Sequence, residues 1–118
     1  MADTLMQTMS IEFSVQIINL VKELRAKHET IISNQIGRSG TSIGANIHEA
    51  RYAQSTKDFI SKMEIALKES GETLYWLIIL KRTGYIDSET YNALNSTRTN
   101  LRNMLVASCK TTKSNNKL

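Results

Sequence analysis

An all-α fold of four helices is predicted by three observations. The 118-residue chain contains no proline and only five glycines, where average usage would give about six prolines, so little interrupts a helix. Four segments repeat apolar residues at three- and four-residue spacing, the pattern of a helix that buries one face. Short polar turns separate them. By size this is one domain, able to bury roughly two thirds of the surface its unfolded form exposes. The expected domain spans 1–110, with helices at about 4–27, 30–53, 56–83 and 88–110, followed by a disordered polar tail at 111–118.

The first helix is expected to start at Asp3 or Thr4, either of which can cap it. Phe13, Ile17, Leu20, Val21 and Leu24 form its buried stripe, extended upstream by Met6 and Met9. Lys27-His28-Glu29 reads as the connection, which makes His28 a loop residue rather than a ligand.

In the second helix Ile32, Ile36, Ile43, Ile47 and Ala50 share a face, with Gly40 in the gap. Beside it runs a stripe of small residues, Ser33, Gly37, Gly40 and Gly44. Each helical glycine costs about 1 kcal/mol relative to alanine. Close approach of another helix backbone is the reason expected for Gly37, Gly40 and Gly44. A phosphate-binding loop is excluded because no Gly-Lys-Ser/Thr follows and no strand precedes. His48-Glu49 begins like a zinc-protease motif, but position 52 is Tyr, and one histidine cannot complete that site. Arg38, Ser42, Ala45, Glu49 and Tyr52 lie opposite the isoleucines, facing solvent or another subunit.

The third helix is capped by Ser55, with Asp58 three residues on, and stopped by Gly84. It is a rod of roughly 42 Å. Its main seam is Phe59, Met63, Ala66, Ser70, Leu74, Leu77 and Leu80. A second seam, Ile65, Glu69, Glu72, Trp76 and Ile79, lies about a hundred degrees away at four-three-four-three spacing. Around Tyr75–Leu80 the helix is apolar on every side, more than one bundle can bury. A second copy of the protein is the economical cover, since aromatics mark interface cores. Glu69 and Glu72 have no histidine or metal-ligand pattern beside them, so ion pairing with Arg38 or Arg51 is expected rather than acid–base chemistry.

Asp87 or Ser88 should cap the fourth helix, whose stripe is Tyr91, Leu94, Leu101 and Leu105. Arg98 falls inside this stripe, where it needs a partner or must snorkel to the rim.

Composition narrows function. Net charge is +4, and no acidic residue follows Glu89, while Arg98, Arg102, Lys110, Lys113 and Lys117 are all positive. Such a segment suits nucleic acid, or is simply a solvated helix end favoured by the helix dipole. Arg98, Arg102, Lys110 and Lys113 are the candidate nucleic-acid contacts. The lone Cys109 can make neither an internal disulfide nor a zinc site by itself. No catalytic constellation, metal site or cofactor is expected. The N-terminal MADTLMQTMS lacks a basic start and apolar run. The longest apolar run, Leu74 to Leu80, is far short of the ~20 residues that span a bilayer. A cytoplasmic protein without membrane contact is the expectation.

The chain resembles the four-helix-bundle proteins encoded in 23S rRNA intervening sequences. The resemblance rests on RSGTSIGANIHEA at 38–50, QSTKDFISKMEIALKES at 54–70 and GETLYWLIILKRTGYI at 71–86. It implies an up-down-up-down bundle assembled into a ring-shaped homo-oligomer, usually a pentamer. It carries over the polar positions Arg38, Ser39, Asn46, Glu49, Glu69 and Glu72; Ala50, where many members have glycine, is a mild departure. Distant relatives, the accessory proteins of diversity-generating retroelements, bind nucleic acid and a reverse transcriptase through a basic ring surface. The reading is therefore a non-enzymatic ring that contacts RNA or DNA, with Ile65, Glu69, Glu72, Trp76, Ile79 and Arg38 at the subunit interface. The alternative is a protein–protein scaffold with no nucleic-acid role. An enzyme working through Glu69, Glu72 and Arg38 would require a ligand or metal bound there.

Overall fold

In the computed structural model, which describes residues 4–116, four helices follow one another: α1 (Thr4–Ala26), α2 (Ile31–Ala50), α3 (Thr56–Arg82) and α4 (Ser88–Asn116). No strand occurs among the described residues. Asp3, one of the two expected starts, lies outside them. Each helix packs on its neighbours in the chain, and α4 closes the bundle against α1. The body measures 48 × 22 × 20 Å. Pairings across the seams give the directions: Gly40 meets Ile17 while Gly44 meets Ser10, and Arg38 meets Glu72 while Glu49 meets Lys62. Consecutive helices are therefore antiparallel.

The core collects the predicted stripes, except that on α3 Thr73 is buried and Leu74, expected in the main seam, is only partly so. Phe13, Ile17, Leu24, Ile36, Ile43, Ile47, Met63, Leu77, Leu80, Leu101 and Leu105 are fully enclosed. The small stripe on α2 faces α1, and Gly40 is its tightest point. A Cβ built there would stand 2.8 Å from Cγ1 and 2.9 Å from Cγ2 of Ile17, closer than carbon atoms pack. At Gly44 the nearest atoms belong to Ser10, backbone oxygen included, at 3.2 Å. Near Gly37 only Val21 comes close, at 3.3 Å.

The helix ends are closed by identifiable groups. Ser55 Oγ accepts the Asp58 N–H at 3.0 Å, and the Asp58 carboxylate accepts from the Gln54 N–H, a variant of the capping box. Gly84 has φ +81°, the left-handed terminator that lets the Tyr85 N–H return to the Leu80 carbonyl. The Asp87 carboxylate accepts the Thr90 N–H at 2.7 Å and caps α4. For α2 the cap is Glu29, which sequence reading left in the connection. Its buried carboxylate accepts the N–H groups of Ile31, Ile32 and Ser33 at 2.7–3.0 Å. His28 turns the chain with φ +66° and is exposed, as a loop residue should be.

One expectation is corrected at the C-terminal end. α4 runs on to Asn116, so residues 111–116 are helical rather than a disordered tail. Nothing in TTKSNN breaks a helix, and the extension is anchored: Cys109 is buried, and Lys113 pairs with Glu64 at 3.0 Å. Residues 117 and 118 lie outside the described residues.

Gly40→Ala should lower stability by about 1 kcal/mol, because overpacking against Ile17 outweighs the gain in helix propensity. Gly71→Ala should raise it by about 0.5–1 kcal/mol, since no atom stands within 4 Å of a Cβ there. Urea denaturation of both variants checks the contrast; a stabilised Gly40→Ala would contradict the close approach.

Candidate functional site

The outer face of α2 and α3 gathers most of the residues singled out in the sequence. Four-residue spacing on α2 places Arg38 over the α3 pair Glu69 and Glu72, whose three-residue spacing puts both carboxylates on one side of that helix. The Arg38 guanidinium bridges them, at 3.2 Å from Glu69 and in closer contact with Glu72. Trp76 Nε1 donates to the Glu72 carboxylate at 3.1 Å. Of the two arginines left open as partners, Arg51 instead donates to Gln7 at 2.9 Å. Below this layer the buried Thr73 hydroxyl donates to the Glu69 carbonyl at 2.8 Å and stands 2.9 Å from the Ser39 hydroxyl, tying α2 to α3 beneath the charges.

Apolar groups frame the cluster. Ile65 remains 39% exposed and Ile79 half-buried on the same α3 seam. Tyr75, 56% exposed, stands edge-on to Trp76 with ring centroids 4.9 Å apart. Hydrogen bonds from Arg38 first and Trp76 second hold Glu72 below the ordinary glutamate range. Both carboxylates are occupied by donors from their own chain. The arrangement fixes geometry and presents an aromatic edge; it offers no free acid–base pair.

A second apolar face was missed in the sequence. Ile11, Val15 and Ile18 on α1 are 64%, 55% and 45% exposed, a stripe on the side of α1 away from the core. An open groove of about 370 Å³ between α1 and α2 runs from Ile18 and Val21 to Arg38. The four-three spacing of these residues was legible, but the stripe of Phe13 and Ile17 already accounted for the helix.

The basic set on α4 is split by the fold. Arg98 is 6% exposed and points inward, a correction to its place among nucleic-acid contacts. Its Nε donates to Asn95 at 2.9 Å, and its Nη1 to the Ser70 hydroxyl at 3.0 Å. Burial, then the charge of Arg102, push its pKa below the usual guanidinium value. Lys113 is paired with Glu64. Arg102 and Lys110 stay exposed. Among the described residues there is no group of three or more His, Cys, Asp or Glu placed to hold a metal, and no helix is long and apolar enough to cross a membrane.

The family model described as 23S rRNA-intervening sequence protein matches residues 3–107. A crystal structure of a protein of unknown function from the S23 ribosomal protein family of Bacteroides thetaiotaomicron VPI-5482 is 50% identical. That match covers 93% of this chain and 99% of the other, with a TM-score of 0.90. A comparison with curated proteins found no match.

Because Glu72 titrates below its ordinary range, the bridge is intact above the unfolded glutamate pKa and is lost as pH falls through the lowered folded value. The emission of Trp76, the only tryptophan, should therefore titrate on the acid side of the usual glutamate pKa, and Glu72→Gln should abolish that titration. An unchanged profile in Glu72→Gln would assign the signal elsewhere.

Proposed function

The chain belongs to the family of 23S rRNA-intervening sequence proteins, and we propose that it is a non-enzymatic bundle that assembles into a ring with copies of itself. The proposed ring meets RNA or DNA in the cytoplasm. One observation carries the assembly: a single bundle leaves two separate apolar faces uncovered. These are Ile11, Val15 and Ile18 on α1, and Ile65 and Tyr75 on α3, with the partly buried Trp76 beside Tyr75. Exposed apolar strips of this kind mark interaction surfaces.

The two faces lie on different sides of α2 and differ in composition. Pairing the α1 stripe of one copy with the α3 seam of the next is a heterologous contact, which repeats from copy to copy and closes into a ring when the rotation permits. Self-pairing of either face would leave the other exposed. In the Arg38–Glu69–Glu72 cluster each carboxylate already has a partner in its own chain, but one guanidinium against two carboxylates leaves a net negative charge for the next copy to meet. A pentamer is the ring size the family resemblance implies.

The nucleic-acid part of the proposal rests on charge: net +4 overall, with no acidic residue after Glu89. The scaffold alternative gains from the inward turn of Arg98 and the pairing of Lys113, which thin the cations along α4.

Light scattering should give the parent a mass several times 13.3 kDa. Trp76→Ala and Val15→Asp should each shift it toward the monomer while circular dichroism keeps its helical signal. A monomeric parent, or unchanged masses in both variants, would overturn the assembly.

A further inference from the structure

We propose that the phosphate-binding surface of this protein is the pole of the bundle where the α1–α2 and α3–α4 turns meet, rather than the flank of α4. The proposal rests on the nucleic-acid reading above and names its surface. The antiparallel order brings both turns to one end, where Lys27 Nζ donates to the Tyr85 carbonyl at 3.2 Å. Lys22, Arg25, Lys27, Lys81 and Arg82 all gather there, every one exposed, with the exposed His28 among them. Among the described residues none of these cations makes an ion pair with a carboxylate. Their contacts are neutral: Arg25 donates to Asn34 Oδ1 at 2.7 Å, and Lys81 lies 4.7 Å from the Tyr91 ring centroid. Neutral partners orient a cation and leave its charge uncancelled.

Four acids share the pole, one fewer than the five cations, and of these only Glu29 is withdrawn from solvent. The Glu29 carboxylate is buried on three backbone N–H groups. Asp87 is exposed and keeps its negative charge, its pKa lowered by the Thr90 backbone N–H first, with Lys27 a smaller influence. Glu23 and Glu89 remain exposed, but both line the α1–α4 groove with Gln16 and Asn19, on one side of the pole.

Helix dipoles do not use up these cations. A dipole favours a cation at a helix C-terminus by about 0.3–1 kcal/mol, and α1 and α3 end here. The N-termini of α2 and α4 stand at the same pole with the opposite partial charge, so the two pairs offset each other. The excess positive charge therefore faces solvent, and the ligand it fits is a run of phosphates. The exposed Thr30 hydroxyl beside the cations suits phosphate and sugar oxygens, whereas the Thr83 hydroxyl already donates to the Ile79 carbonyl at 2.7 Å. Among the described residues Ile31 is the one large apolar side chain exposed here, too little for insertion into a bilayer. In a ring whose helices run along the axis, every copy turns this pole to the same side, and repeated weak contacts sum.

The test is fluorescence anisotropy of a labelled RNA hairpin and a labelled single strand, titrated with the full chain at several salt concentrations. Two double variants each remove two charges: Lys81→Gln with Arg82→Gln at the pole, and Arg102→Gln with Lys110→Gln on α4. The pole variant should weaken binding about tenfold or more and reduce the salt slope by about two. The α4 variant should change affinity less than about threefold. Lys22→Gln with Arg25→Gln should repeat the pole effect if the first pair disturbs the turn. Loss in the α4 variant alone, or equal loss in both, would overturn the pole while leaving nucleic-acid binding standing. No binding by the parent at low salt would remove both. Capture by phosphatidylserine vesicles without RNA binding would assign the pole to a membrane surface instead.

Discussion

The contact on which the other features depend is the approach of α2 to α1 at Gly40. Only hydrogen fits between that backbone and the Ile17 side chain. The approach sets the rotation of α2 about its own axis, and the rest of that helix follows. With Gly40 against α1, the isoleucines point into the core, Ser39 meets Thr73, and Arg38 emerges over Glu69 and Glu72. A helix is rigid over this length, so a shift at Gly40 would move the charge cluster, the buried hydroxyl pair and the groove beside Ile18 together. The stripe of small residues thus governs a surface far from itself.

Charge placement follows a different rule. Cations near helix ends and acids used as caps give the bundle a polarity that no single helix possesses. Glu29 and Asp87 are oriented by backbone N–H groups as caps, Glu29 buried and Asp87 exposed, while the basic last turns of α1 and α3 reach solvent. Along α4 the opposite happens: Arg98 is drawn inward to Ser70 and Asn95. Burying a guanidinium without a carboxylate is costly, and its neutral acceptors offset that only in part. What the contact secures is register, because Arg98 can reach Ser70 from a single position of α4 against α3.

Much of this was legible in the chain. Helix positions followed from apolar spacing, the cap Ser55, the choice of Asp87 or Ser88 and the terminator Gly84 from their residue chemistry, and the small stripe from its glycines. These are local signals. The misses were cases where a distant residue decided. Arg98 sat in an apolar stripe yet carried a charge, and only Ser70, twenty-eight positions away, settled its direction. Residues 111–116 looked like a tail because they are polar, but Glu64 on another helix holds them. The α1 stripe went unseen because periodicity identifies an amphipathic face without saying that a second, weaker one is exposed. The basic pole is scattered in sequence between two turns, and only antiparallel packing joins them.

The central claim is that the α1 stripe of one copy seats on the α3 seam of another. Disulfide cross-linking between two single-cysteine proteins tests it most directly. In a Cys109→Ser background, Val15→Cys and Ile65→Cys would each be oxidised alone and after mixing. The account predicts covalent dimers that form efficiently only in the mixture. Cross-links of Val15→Cys with itself, at the same efficiency as in the mixture, would mean that like faces pair and that the heterologous ring is wrong.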